Sequence, residues 1–213
     1  MDEMSHGSDS AARAASRLGT VETLSWLACL FADAPSEATI AAARGGPAAT
    51  VLGGLAADPD LAPGVGRLVA ALDASMSDVA LAARLAAVFG VLFSGVGGRE
   101  TVSPYESVQR TGRLFQAPAR DMARLLAAHD LAIADGSEAP DHLSVEVALL
   151  AQLTATDDPD RAGLAARLDE WLPEFRDLCL AKDPTGYFAG AAELLAALLA
   201  REESRANNQQ CDV

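Results

Sequence analysis

The sequence predicts an all-α fold, a single helical bundle of about nine helices, on three observations. Alanine and leucine supply 46 and 29 of the 213 residues, against 2 isoleucines and 13 valines, a balance that favours helices over strands. Apolar residues recur at helical spacing in segment after segment, and no strand candidate of useful length interrupts them. Half of the chain is hydrophobic, which excludes intrinsic disorder at a length suited to one domain.

The elements follow in order. Thr20-Val21-Glu22 opens the first helix, with Thr20 as N-cap and Leu24, Trp26, Leu27, Leu30 and Phe31 as its apolar face. Ala34-Pro35-Ser36 ends it, and Gly45-Gly46-Pro47 and Gly53-Gly54 split residues 36–58 into two short helices. A helical pattern resumes at Leu68, and residues 77–93 read as one strong helix burying Leu81, Leu85, Val88, Phe89, Leu92 and Phe93. Residues 94–103 form a loop in which Gly95–Gly98 is a turn. Pro104 to Phe115 is a short helix or irregular segment, and a helix runs from Pro118 to about Ala134. After the Ala134–Ala139 loop, Pro140 sits in the first turn of a helix that reaches Thr154, where its missing N–H costs nothing. Residues 160–181 are helical with a break near Pro173, and Pro184 begins a last helix to Arg205. The folded domain is therefore residues 18–205, between a disordered tail at 1–17 and a fraying segment at 206–213.

Charge narrows the function. The net charge is −14 and the pI is near 4.5, a field that repels nucleic-acid phosphates and attracts basic peptides. The start of the chain lacks the basic, then apolar, pattern of a signal peptide, and the longest uncharged stretch, between Arg84 and Arg99, is too short to span a membrane. Three widely spaced cysteines, with Cys29 and Cys179 in apolar helical runs and Cys211 in the polar tail, fit a reducing cytoplasm.

No phosphate loop, dinucleotide fingerprint, nucleophile elbow or HExxH zinc motif is present, so the chain reads as a non-enzyme without cofactor or metal. His6 lies in the tail, and His129 ends a helix, where a cation suits the dipole. His142 and Glu146 stand four apart on one helical face. Three readings of that pair are open. Glu146 holds the imidazole in a structural first turn beside Asp141; the cluster faces a partner; or the pair begins a metal-dependent enzyme site, which needs ligands the sequence does not supply. Tyr105, after Ser103-Pro104, has the structural reading of a lid closing the loop over the 77–93 helix, and Trp171 reads as core.

Taken together, Val91-Leu92-Phe93-Ser94-Gly95, then Pro104-Tyr105-Glu106-Ser107-Val108, and about thirty-five residues later Pro140-Asp141-His142-Leu143 with Glu146 resemble the TorD/DmsD/NarJ family of molybdoenzyme maturation chaperones. Leu168, Trp171, Pro173, Phe175 and Tyr187-Phe188 continue the resemblance, which spans roughly residues 20–200. Phe93 stands where the family often has Trp, and Leu125-Leu126 where it often has Tyr. The resemblance implies an all-helical cytoplasmic chaperone. It would bind the N-terminal twin-arginine leader of a molybdopterin-containing oxidoreductase subunit and assist cofactor insertion before export. The non-exported nitrate-reductase-type subunit is the alternative client. Carried over, the client-binding residues are Tyr105, Ser107, Pro140, Asp141, His142 and Glu146, with Phe89, Leu92 and Phe93 as apolar lining. Side chains at the Asp141–His142 turn are expected to reach out of the bundle and meet guanidinium groups. Both a monomer and a domain-swapped dimer fit the resemblance.

Overall fold

The computed structural model describes residues 3–95, 98–133 and 138–211, with side chains described for 17–95, 98–133 and 138–201. The expectations for the Gly95–Gly98 turn and the Ala134–Ala139 loop fall partly outside the described residues. Those for the two tails, with His6 and Cys211, fall largely on undescribed side chains.

Eleven helices and no strand are formed among the described residues: α1 (Glu3–Ala32), α2 (Glu37–Gly45), α3 (Pro47–Leu55), α4 (Ala62–Ala71), α5 (Asp78–Phe93), α6 (Glu106–Thr111), α7 (Ala117–Ala128), α8 (Leu143–Thr156), α9 (Asp160–Asp169), α10 (Leu172–Lys182) and α11 (Tyr187–Cys211), with one 3-10 turn at Gly98–Glu100. The all-α reading holds, with two helices more than the nine expected. One comes from the 160–181 stretch, where the chain breaks at Glu170-Trp171 and α10 restarts with Pro173 in its first turn. Thr20 is not an N-cap but lies inside α1, which starts upstream at Glu3. Pro184 likewise precedes the last helix rather than starting it.

Local chemistry sets the other boundaries. Ser36 Oγ accepts from Thr39 N–H at 3.1 Å and Ser77 Oγ from Ala80 N–H at 3.2 Å, so each serine satisfies an orphan donor of a first turn. Asp157, at φ 56°, ends α8 in the left-handed conformation. α4 and α11 cross in backbone contact: a Cβ on Gly64 would lie 2.6 Å from Leu194 N, and one on Gly190 would lie 2.8 Å from Gly64 O. Only glycine permits that approach.

The core is continuous, and its aromatic part joins α1, α5, α10 and α11. Phe31 meets Phe93 and Phe175 with ring centroids 6.0 and 5.7 Å apart. Phe89 and Phe93 meet Phe188 at 5.7 and 5.3 Å. These edge-to-face pairs are the arrangement aromatic quadrupoles favour. α8 packs along α1, with Leu149, Leu150 and Leu153 buried on one side and Leu24, Leu27 and Phe31 on the other. Cys179 is buried as expected, whereas Cys29 is exposed: it lies on the flank of α1 turned away from the aromatic core.

Candidate functional site

Two segments about thirty-five residues apart meet where α6 and α8 begin. Glu106 N–H donates to Asp141 O at 3.0 Å and Leu143 N–H to Pro104 O at 2.8 Å, so Tyr105 and His142 pair as an isolated antiparallel bridge. Asp141 is fully buried, and its Oδ2 accepts from Ser107 N–H at 2.9 Å. It therefore caps α6, not the helix that follows it in sequence. That cap falls to His142, whose Nδ1 accepts from Ser144 N–H at 3.2 Å and lies 2.7 Å from Ser144 Oγ. An accepting Nδ1 puts the proton of the neutral ring on Nε2, and burial lowers the pKa of His142 below its usual value, favouring that neutral ring. Pro140 stands in the turn before α8 rather than in its first turn.

Tyr105 packs edge-on against the His142 ring, centroids 4.9 Å apart at 76°, and its hydroxyl donates to Glu138. Burial and the Glu138 carboxylate push its phenol well above the usual range.

Beneath this junction lies a charged cluster. Glu106 is fully buried and accepts from Arg110 Nη1 at 2.8 Å and from Arg167 Nη2. Arg167 also donates to Pro118 O at 2.7 Å, tying α9 to α6 and α7. Glu146 is equally buried, yet neither of its oxygens receives a hydrogen bond; Arg167 Nε comes no closer than 3.9 Å. Burial first, then the neighbouring Glu106 charge, raises its carboxyl well above the ordinary carboxylate range, with Arg167 opposing. Glu146 therefore faces Glu106 and Arg167 and does not hold the imidazole. Ser107 Oγ and Asp141 Oδ1 are also buried without a hydrogen-bond partner.

The structure thus brings Tyr105, Ser107, Pro140, Asp141, His142 and Glu146 together, but with Asp141, Ser107 and Glu146 sealed inside rather than reaching out. Phe89, Leu92 and Phe93 belong elsewhere, to the aromatic core with Phe31, Phe175 and Phe188. Sequence reasoning missed Arg167 and Glu106. The spacing of Glu106 and Arg110, four apart on one helix, was the available signal for the pair; nothing local pointed to Arg167.

It also missed an open groove of about 570 Å³ between α1, α8 and the segment after α7. Ser25, Ala28 and Cys29 line one wall, Val145, Ala148 and Gln152 the floor, and Leu131 and Ile133 the far side. Ser144, which bonds His142, closes one end, so the polar junction fixes the start of the groove's floor. Among the described residues, the one group with metal-ligand spacing is His129, Asp158 and Asp160, which includes neither His142 nor Glu146. Asp158 lies 3.8 Å from His129 Nδ1 and Asp160 3.1 Å from Nε2, on opposite ring nitrogens.

The described residues thus form an all-helical bundle with an open apolar groove whose floor starts at a buried polar junction. Comparison with known proteins gives the family. Residues 58–181 match the family described as nitrate reductase delta subunit. The chain is 33% identical to the chaperone protein TorD of Shewanella loihica, over 66% of this chain and 70% of that one. It is 31% identical to that of Ferrimonas balearica, over 72% and 74%, and 28% identical to that of Aliivibrio fischeri, over 70% and 77%. A solved structure described as a redox enzyme maturation protein from Archaeoglobus fulgidus shares the fold, with a TM-score of 0.50 and 18% identity over 84% of this chain and 90% of that one. The chain belongs to the TorD/DmsD/NarJ family of molybdoenzyme maturation chaperones.

Proposed function

We propose that this chaperone holds the N-terminal twin-arginine leader of a molybdopterin-containing oxidoreductase subunit and retains that subunit until its cofactor is inserted, before export. The observation that carries the reading is the groove on α1 and α8: it is apolar, open to solvent, and large enough for several side chains of a leader's apolar run. Membership of a molybdoenzyme maturation chaperone family supports an oxidoreductase subunit as the client. Catalysis is not part of the role, and the work is binding and release in the cytoplasm. No helix among the described residues is long and apolar enough to cross a membrane.

In this reading the Tyr105, Ser107, Pro140, Asp141, His142 and Glu146 set serves the client by holding the α6–α8 junction, and hence Ser144 at the groove's end, in place. Phe89, Leu92 and Phe93 hold α5 against the core rather than touching the leader. The description of the family as nitrate reductase delta subunit also supports a client of that type, whose N-terminus would lie in the same groove.

Ala148 is exposed on the groove floor, so Ala148→Trp fills the groove without entering the core. The expected result is loss of leader-peptide binding by at least ~10-fold, with a melting temperature within a few degrees of wild type, since Trp for Ala at an exposed helical site costs only about 0.5 kcal/mol. Unchanged binding by calorimetry would place the leader elsewhere.

A further inference from the structure

The two ends of the groove are chemically unlike. α1 and α8 run antiparallel: Arg17, midway along α1, lies 3.6 Å from Asp157 at the C-terminal end of α8, while the later α1 residues Ser25, Ala28, Cys29 and Ala32 line the groove with the earlier α8 residues Ser144 to Gln152. The α8 floor extends from Ser144 to Gln152, about 12 Å at ~1.5 Å per residue, and α8 reaches Asp157 about 8 Å further on. At the Ser144 end the nearby acids are spoken for: Asp141 and Glu146 are buried, and Glu138 accepts from Tyr105. A guanidinium could reach Asp141 only by breaking into the Ser107 N–H bond.

At the Gln152 end, Asp157, Asp158 and Asp160 follow α8, while His129 and Asp130 join groove-lining Leu126 to Leu131. His129 lies between Asp158 and Asp160 and so ties the end of α7 to the start of α9. Asp130, Asp157 and Asp160 are exposed and Asp158 is partly exposed; of the nearby arginines, Arg17 of α1 pairs with Asp157 and Arg161 follows Asp160 in sequence. Asp157 pairs with Arg17, and Asp158 and Asp160 with His129, yet all three, like Asp130, keep carboxylate surface open to solvent beyond the Gln152 end of the floor, and together they complement a peptide that is apolar along its length and cationic at one end.

We propose that the groove accepts such a peptide in one direction only, with guanidinium groups at the Asp157–Asp160 end and the apolar run lying along α8 toward Ser144. A leader whose arginines precede its apolar run would then lie parallel to α1 and antiparallel to α8. The proposal rests on the leader-binding reading above and adds the direction of the leader and the carboxylates that read its charge.

The test uses the full chain and two synthetic peptides: one with two arginines ahead of a Leu/Ala run, and one with both arginines replaced by Gln. Asp158→Asn/Asp160→Asn keeps side-chain oxygens as acceptors for the local turn. The variant should bind the Arg peptide ~10-fold more weakly and the Gln peptide within about 2-fold of wild type. A benzophenone residue placed beside the arginines should cross-link to residues 126–133 or 152–160. Equal losses for both peptides, no loss for the Arg peptide, or cross-links confined to residues 138–145 would each overturn the direction. If the Arg peptide still binds and Ala148→Trp still blocks it, the groove reading survives that failure. If wild type binds neither peptide, both readings fall.

Discussion

Glu146 shows how far a side chain's surroundings decide its chemistry. It has the spacing to contact His142, yet it is enclosed with Glu106 and Arg167, and its carboxyl keeps its proton well beyond the usual range. A carboxyl whose folded pKa is raised contributes stability that is complete below the unfolded carboxyl's range, near 4.3, and is lost as pH rises through the folded value. Glu146→Gln cannot ionise. The melting temperature of Glu146→Gln relative to wild type should therefore climb as pH is taken from about 5 to about 9. His142, with its depressed pKa, adds an opposite slope on the acid side that both proteins share, so the difference between the two melts isolates Glu146. A constant difference across that range would assign the titration to another group. The sequence could show that His142 and Glu146 share a helical face; it could not show which neighbours fill that face, because Glu106 and Arg167 come from α6 and α9.

At the scale of elements, the helices were legible because their signals are local. Ser36 caps the helix that follows the Ala34-Pro35-Ser36 break, Ser77 caps the helix expected over residues 77–93, and α10 begins next to the break expected near Pro173. The meeting of the Pro104–Ser107 and Pro140–Leu143 segments was legible only through the family resemblance. Its chemistry was not, because burial depends on how α6, α8 and α9 pack. The groove was invisible for the same reason: Cys29 and Ala148 look like ordinary helix residues until the register of α1 on α8 exposes them. Asp141 tests the junction. Its carboxylate accepts from Ser107 N–H inside the protein, so Asp141→Asn weakens a charge-assisted cap and places an amide where no acceptor waits. We expect a loss of about 1–2 kcal/mol in stability, read by urea unfolding, with leader affinity of the folded protein within about 2-fold of wild type. An unchanged unfolding midpoint with ~10-fold weaker leader binding would instead make Asp141 a direct client contact.

The whole molecule carries a net charge of −14, and the composition alone showed that its field suits a basic partner. That field acts before contact. Charges on the surface attract a cationic peptide over distances up to the screening length, about 8 Å at physiological salt and longer below it, and so raise the rate of encounter. The apolar run, once seated on α8, is held by contacts that salt does not screen. The two contributions separate in kinetics. Raising sodium chloride from about 0.02 M to about 0.5 M should slow association of an arginine-bearing leader by at least ~10-fold, while its dissociation changes far less. Replacing the two arginines by Gln should flatten the salt dependence of association without abolishing binding. Stopped-flow fluorescence resolves both rates. If association is insensitive to salt for the arginine peptide, the acidity acts on solubility alone and the apolar groove accounts for recognition. If salt instead accelerates dissociation by the full factor, the guanidinium groups are bound by exposed carboxylates that ions compete for in the complex itself, and the Asp157–Asp160 end holds the leader as well as attracting it.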